Sequence, residues 1–265
     1  FAPDIGRQVA EKAVELYKAS GWEQDPNAVI RAVSIELPTL SVCNMRTDAS
    51  TETWLKALPD FGEENVLHMP YDGTLKGAAD AFPAFITAHP EITHWVLWSC
   101  NDDGVLGAVR SLENAGVKAE NIIGVGLGAH MACDEWNKGK PTGFKAAVYI
   151  NAALHGKKAM EVMYDYLANG TPIPENSIVQ GVMVDPTNYA TTIEGCVAPG
   201  TQAPAEGKKW RIGYIAAGTQ YYYMCQESGV RKKAAEMGVD LVVLNSDSKA
   251  DKEISNMEDM ISKKV

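Results

Sequence analysis

At 265 residues, with 46% hydrophobic and 22% charged side chains, the chain is long enough for one large domain or two lobes around a substantial core. Its formal charge of -10 denies it the basic footprint that nucleic-acid binding requires, and no apolar run approaches the ~18 residues of a membrane span. Phe1 opens without a basic segment and an apolar run behind it, so no signal peptide is expected at this end.

Short apolar strands alternate with amphipathic helices along the chain. The first strand is expected at 28–36 (AVIRAVSIE). The segment SVCNMRTDAST after it carries Asn44 and Arg46 near a strand end, where a planar guanidinium fork can be aimed at a ligand; a solvated surface charge is the plainer reading. Strands follow at 65–70 (NVLHMP) and 93–99 (THWVLWS). The latter runs into Asn101, Asp102 and Asp103 and then a helix on which Val105, Leu106, Val109 and Leu112 share one face. Asp102 or Asp103 suits a helix N-cap, while the Asn101 amide, with donors and an acceptor, is better placed to meet a ligand.

The strand expected at 121–127 (NIIGVGL) brings Gly124, Gly126 and Gly128 to a strand-to-helix turn. Their spacing is G-x-G-x-G-A rather than the dinucleotide pattern G-x-G-x-x-G. His130 follows as a cap, a rim residue or a ligand contact, without a second group at metal-ligand spacing. The strand at 144–150 (FKAAVYI) leads to Asn151, an N-cap or a ligand hydrogen bond, and to His155 on the helix behind it. Ala159, Val162, Met163 and Tyr166 share a face of that helix. A strand is expected at 177–184 (SIVQGVMV). GCVAPGTQAPAEGKK, at 195–209, has no apolar period and reads as a flexible linker.

Beyond the linker the rhythm restarts. A strand at 211–217 (RIGYIAA) ends before Gln220, Tyr221, Tyr222 and Tyr223, and three adjacent tyrosines cannot all enter one core. A strand at 239–245 (VDLVVLN) precedes a helix whose Ile254, Met257 and Ile261 share a face. Strict alternation of this kind argues for a parallel sheet with helices on both sides, and ligands bind such sheets beyond the carboxyl ends of the strands. The five cysteines are odd in number and form no C-x-x-C pair, so Cys43, Cys100, Cys133 and Cys225 are expected as buried free thiols. No G-x-S-x-G, P-loop or H-E-x-x-H occurs, so no catalytic residue, cofactor or metal is expected.

THWVLWSCNDDGVLGAVRSLENAGVKAENIIGVG resembles the second lobe of the arabinose- and ribose-binding proteins, the type I periplasmic sugar-binding proteins of bacterial ABC importers. KPTGFKAAVYINAALHGKKAMEVMYDYLANGTP resembles the crossover that returns from that lobe, and the strand, aromatic turn and helix from Trp210 onward resemble the opening of the first lobe. The resemblance thus implies a circularly permuted order that lacks the segment expected between Val265 and Phe1. The resemblance implies a sugar-binding Asn at Asn101, a polar contact at Asn151, an aromatic that stacks on the sugar at Tyr222 or Tyr223, and a polar contact at Tyr221. There are departures too. The binding Arg of the family falls on Asn44, with Arg46 two residues later; the Asn or Asp after the G-x-G strand falls near Gly128; the acidic residues of the first lobe fall in the absent segment. Gly195-Cys196 before the Pro- and Gly-rich tether resembles the mature start of a lipoprotein.

The expectation is therefore an α/β periplasmic-binding-protein type I fold. It has a complete lobe at 1–148, a crossover helix and returning strand at 149–194, a join at 195–209 and the start of the other lobe at 210–265. The implied function is capture of a small sugar in an interlobe cleft by Asn44, Arg46, Asn101, His130, Asn151, Gln220, Tyr221, Tyr222 and Tyr223. The sugar is then delivered to an ABC permease at the periplasmic or cell surface. Either a second copy of the chain is expected to cover the incomplete lobe, or the complete lobe folds with a loosely ordered remainder. Two alternatives stay open: an NAD(P)-dependent oxidoreductase using the turn from Gly124 to Gly128, and the effector domain of a LacI-type regulator.

Overall fold

The computed structural model describes residues 1–193, 210–263 and 265. Cys196 and the expected join at 195–209 lie outside these. The chain divides into two compact units, one of residues 1–150 and 181–193, the other of 151–180 and 194–265.

The first unit is a doubly wound sheet with strand order β2-β1-β3-β4-β5-β6. Its strands are β1 (Ile30–Glu36), β2 (Val66–Pro70), β3 (His94–Ser99), β4 (Ile122–Gly128), β5 (Phe144–Tyr149) and β6 (Val182–Val184). Its helices are α1 (Ala2–Ser20), α2 (Ser41–Ala57), α3 (Leu75–Ala88), α4 (Asp102–Asn114), α5 (Ala132–Trp136) and, after α6 of the other unit, α7 (Tyr189–Thr192). Pairing is parallel from β2 to β5 and antiparallel at β6. The strand expected at 177–184 shrinks to its last three residues, because only Val182 to Val184 meet β5.

β3 is central and wholly buried, so it reads as a continuous apolar run. Trp95 and Trp98, three residues apart, point to opposite faces of the sheet. Trp98 packs on Trp54 of α2, and Trp95 on Phe82 of α3. The two faces are thus each sealed by a tryptophan under a helix layer. On α4 the expected stripe is the buried one: Val105, Leu106, Val109 and Leu112 are each 0% exposed. Gly124 and Gly126 serve this packing. A Cβ on Gly124 would press on Val105 and Val109, and one on Gly126 would collide with Asp102 and Phe144. These glycines admit neighbouring side chains.

The second unit holds α6 (Ala152–Asn169), α8 (Tyr221–Glu236), α9 (Ala250–Ser262) and a parallel pair, β7 (Arg211–Ala216) and β8 (Asp240–Asn245). Its buried core is Met160, Ile212, Val230 and Ala234. The expected stripe on α6 is not the buried one. Met163 and Tyr166 are exposed, and Ala152, Gly156 and Met160 are buried. The reason is steric: a Cβ on Gly156 would strike the Gln226 carbonyl oxygen and one on Gly229 the Ala153 carbonyl oxygen, so α6 and α8 meet through their smallest residues. On α9 the expected face is likewise outward; Ile254, Met257 and Ile261 are exposed and Met260 is buried.

The cysteine expectation is overturned. Cys43 and Cys100 form a disulfide, Cys133 is disulfide-bonded as well, and only Cys225 is free among the described residues. Cys43 lies on α2 and Cys100 in the turn after β3, 57 apart in sequence, and only the fold brings them together.

Candidate functional site

In a sheet ordered β2-β1-β3-β4, the chain leaves β1 toward one edge and returns on its other side as β3. The crevice at the carboxyl ends of β1 and β3 is the topological switch point, where open α/β sheets bind ligands. In the first unit the sequence-predicted residues gather there. Arg46, on α2 behind β1, donates from Nη1 to the Cys100 carbonyl at 3.0 Å. Asn101 follows directly. Asn44 lies two residues earlier on α2, but its amide turns back to the Pro38 carbonyl at 3.2 Å.

Asn101 is both a ligand candidate and a structural cap. Its Oδ1 accepts from the Gly104 N–H at 3.0 Å, as the N-cap of α4, and from the Tyr71 hydroxyl at 2.7 Å. Its Nδ2 donates to the Gly73 carbonyl at 3.1 Å. An amide nitrogen carries two protons, and the second is not engaged within the described residues. Tyr71, just past β2, was missed by the sequence reading. Extending the strand-end rule to β2 would have found it. Burial raises its phenol pKa well above the ordinary value, so it stays a donor to Asn101 and accepts from Ser99 Oγ at 3.2 Å.

His130 sits on the neighbouring strand end. Gly128 (φ 114) and Ala129 (φ 54) turn the chain back in the left-handed region. The imidazole fills the space that a side chain at 128 would take, with Nδ1 2.9 Å from where a Cβ would stand. Its Nε2 is 3.0 Å from Asp103 Oδ2 and its Nδ1 3.3 Å from Asp102 Oδ2. Asp102 is fully buried, and its Oδ2 accepts from the Met131 N–H at 3.3 Å. Burial alone would lower the His130 pKa, but the Asp102 charge, the Asp103 hydrogen bond and the Asp103 charge outweigh it and raise it. Desolvation raises the Asp102 pKa as well. The cluster therefore holds its protons to higher pH than free imidazole and carboxylate would. Both aspartates occupy the first turn of α4, where negative charge meets the positive helix end.

Asn151 and the residues Gln220, Tyr221, Tyr222 and Tyr223 belong to the second unit. Asn151 caps α6 by accepting from the Leu154 N–H at 2.8 Å. Gln220 is the exposed N-cap residue of α8 and makes no side-chain cap bond. Tyr221 is exposed, and Tyr222 and Tyr223 meet edge-to-face with centroids 5.5 Å apart. The Tyr222 hydroxyl lies 2.9 Å from His155 Nδ1, whose pKa burial lowers, so the imidazole is neutral and pairs as a neutral group.

Two surface concavities of the first unit, of about 350 and 390 Å³, lie elsewhere. Tyr17, Glu23, Pro59 and Phe61 help line one, and Pro83, Arg110 and Asn114 the other; no candidate residue lines either. Among the described residues no group of three or more His, Cys, Asp or Glu could hold a metal, and no helix is long and apolar enough to cross a membrane.

Residues 35–190 match the family model described as periplasmic binding proteins and sugar binding domain of the LacI family. The chain is 30% identical over 190 residues to an ABC transporter L-arabinose-binding periplasmic protein of Azospirillum brasilense, covering 71% of this chain and 55% of that protein. It is also 30% identical over 195 residues to the L-arabinose-binding periplasmic protein of Escherichia coli, covering 73% and 58%. The chain thus spans a little over half the length of these relatives. Among solved structures, a Bacillus halodurans solute-binding protein with bound myo-inositol matches with a TM-score of 0.55 at 18% identity, covering 72% of this chain and 60% of that one. The arabinose-importer binding protein of Shewanella sp. ANA-3 matches at 0.54 and 15% identity, covering 71% and 58%.

Proposed function

Because the chain belongs to the family of periplasmic binding proteins and LacI-type sugar-binding domains, we propose that it captures a small carbohydrate in the periplasm or at the cell surface for an ABC importer. One observation carries this reading. Arg46, Asn101, Asp103 and His130 converge on the switch point of a doubly wound sheet, in a chain whose relatives are named for L-arabinose binding. Sugar hydroxyls are both donors and acceptors, and this surface offers both: an Arg fork, an amide proton, a carboxylate and an imidazole. No bond is made or broken.

A thermal melt with pentoses, hexoses and inositols tests the reading. A ligand that binds only the folded chain raises the midpoint, and one sugar of the panel is expected to do so. A midpoint unmoved by all of them overturns it. The strand–aromatic–helix segment from 210, following the family match at 35–190, supports a circularly permuted order. A rearranged gene that places 210–265 ahead of 1–193 is then expected to bind the same sugar. The exposed Ile254, Met257 and Ile261 support pairing with a second copy; a light-scattering mass of one chain at every concentration would refute that.

A further inference from the structure

The amino-terminal turn of α2 lacks the side-chain cap that α3, α4 and α6 possess. Thr74 caps α3, Asn101 caps α4 and Asn151 caps α6, each through a side-chain oxygen. The N-cap of α2 is Leu40, which has no capping oxygen. The rest of α2 is well held. Ser50 Oγ donates to the Gly6 carbonyl at 2.9 Å, and Trp54 packs on Trp98 with ring centroids 5.6 Å apart. The first turn, which presents Asn44 and leads to Arg46, is instead joined covalently across the switch point, by Cys43 to Cys100.

We propose that this disulfide is a positioning element of the ligand surface, fixing Arg46 and Asn101 relative to one another so that both can engage one sugar; the inference rests on the sugar-binding reading. Each half-cystine lies next to a polar candidate, Cys43 before Asn44 and Cys100 before Asn101. The Arg46 guanidinium is held by the carbonyl of Cys100 itself. The Tyr71 hydroxyl lies 3.6 Å from Cys100 Sγ while donating to Asn101 Oδ1. Both cysteines are buried, so the bridge lies beneath the polar surface and leaves it free for a ligand. With the bridge cut, the body of α2 stays packed through Ser50 and Trp54. Its first turn gains freedom that binding must then remove, and ordering rotamer-rich side chains at an interface is costly.

The experiment compares the intact, oxidised protein with the Cys43→Ala/Cys100→Ala variant by calorimetric titration and stopped-flow dissociation, using the sugar that raises the melting midpoint. Ile122→Ala, in the core at the start of β4, controls for lost stability alone. Peptide mapping is expected to recover Cys43 linked to Cys100. The double variant is expected to melt cooperatively and to bind about tenfold more weakly, through faster dissociation. Ile122→Ala is expected to lower the midpoint with Kd unchanged well below it. If the alanine pair does not melt cooperatively, Cys43→Val with Cys100→Ala refills part of the volume and carries the same comparison. Free thiols at both positions, or a Kd within about twofold of the intact protein, would overturn the proposal while leaving the sugar-binding reading intact. Absence of binding by the oxidised protein itself would overturn both.

Discussion

Asn101 joins two roles that substitution can separate. Asn101→Ala removes the α4 cap and the Tyr71 acceptor together. It is expected to cost about 1 kcal/mol for the cap, more for the stranded Tyr71 hydroxyl, and to abolish sugar binding; urea unfolding and calorimetry check the two effects. Asn101→Asp keeps both acceptor roles and loses the Nδ2 donor, so it is expected to spare the cap and still weaken binding. His130 supplies a pH test. Its folded pKa is raised above the ordinary 6.5, so its contribution to stability is complete below that value and is lost as pH rises through the folded one. Asp102, raised by desolvation, acts in the same sense. His94 and His155, whose pKa values burial lowers, act in the opposite sense, so His130 shows as a difference: relative to His130→Gln, the urea midpoint of the intact chain is expected to fall as pH rises above about 6.5. A steeper fall in the variant would refute the assignment. The place of Asn101 was legible because an Asn between an apolar strand and an apolar helix face falls at the strand end and at the helix N-cap. The Asp102–His130–Asp103 cluster was not, since it depends on the reversal at Gly128 and Ala129.

Helices differ in how well their buried side can be read. On α4 the most apolar stripe is the buried one, because it faces the apolar β3 and β4 across a sheet. On α6 the apolar stripe faces outward, because another helix packs closely on the side where Gly156 removes bulk. Periodicity finds the face richest in carbon, whereas helix–helix contact at backbone distance selects the face poorest in it. Gly156→Val would press a branched side chain on the Gln226 carbonyl. It is expected to destabilise the second unit by at least the ~1–3 kcal/mol of ordinary overpacking, seen as lost ellipticity at a lower temperature than in the unchanged chain. A neutral outcome would mean that α6 and α8 do not meet through these glycines.

The two units differ in how much core each buries. The first unit holds a continuous cluster from Val33 on β1 through Trp95 and Leu97 on β3 to Phe144 and Val184. The second relies on Met160, Ile212, Val230 and Ala234, with Ile254 and Ile261 of α9 left in solvent. Hydrogen exchange is expected to show the strongest protection in β3 and β4 and earlier exchange in β8 and α9, since local opening follows the buried apolar contacts that must be broken. Equal protection in both units would contradict this.

The α/β alternation, the strand positions other than that of β6, the parallel pairing, the α4 stripe and the place of the switch-point Asn were written in the sequence, because each rests on local period or on one residue at a strand end. Only the tertiary structure decided the antiparallel β6, the inward glycine face of α6, the Tyr71 contact and the oxidation of Cys43 with Cys100. Those depend on which distant elements approach, and approach distance leaves no periodic mark on a single chain.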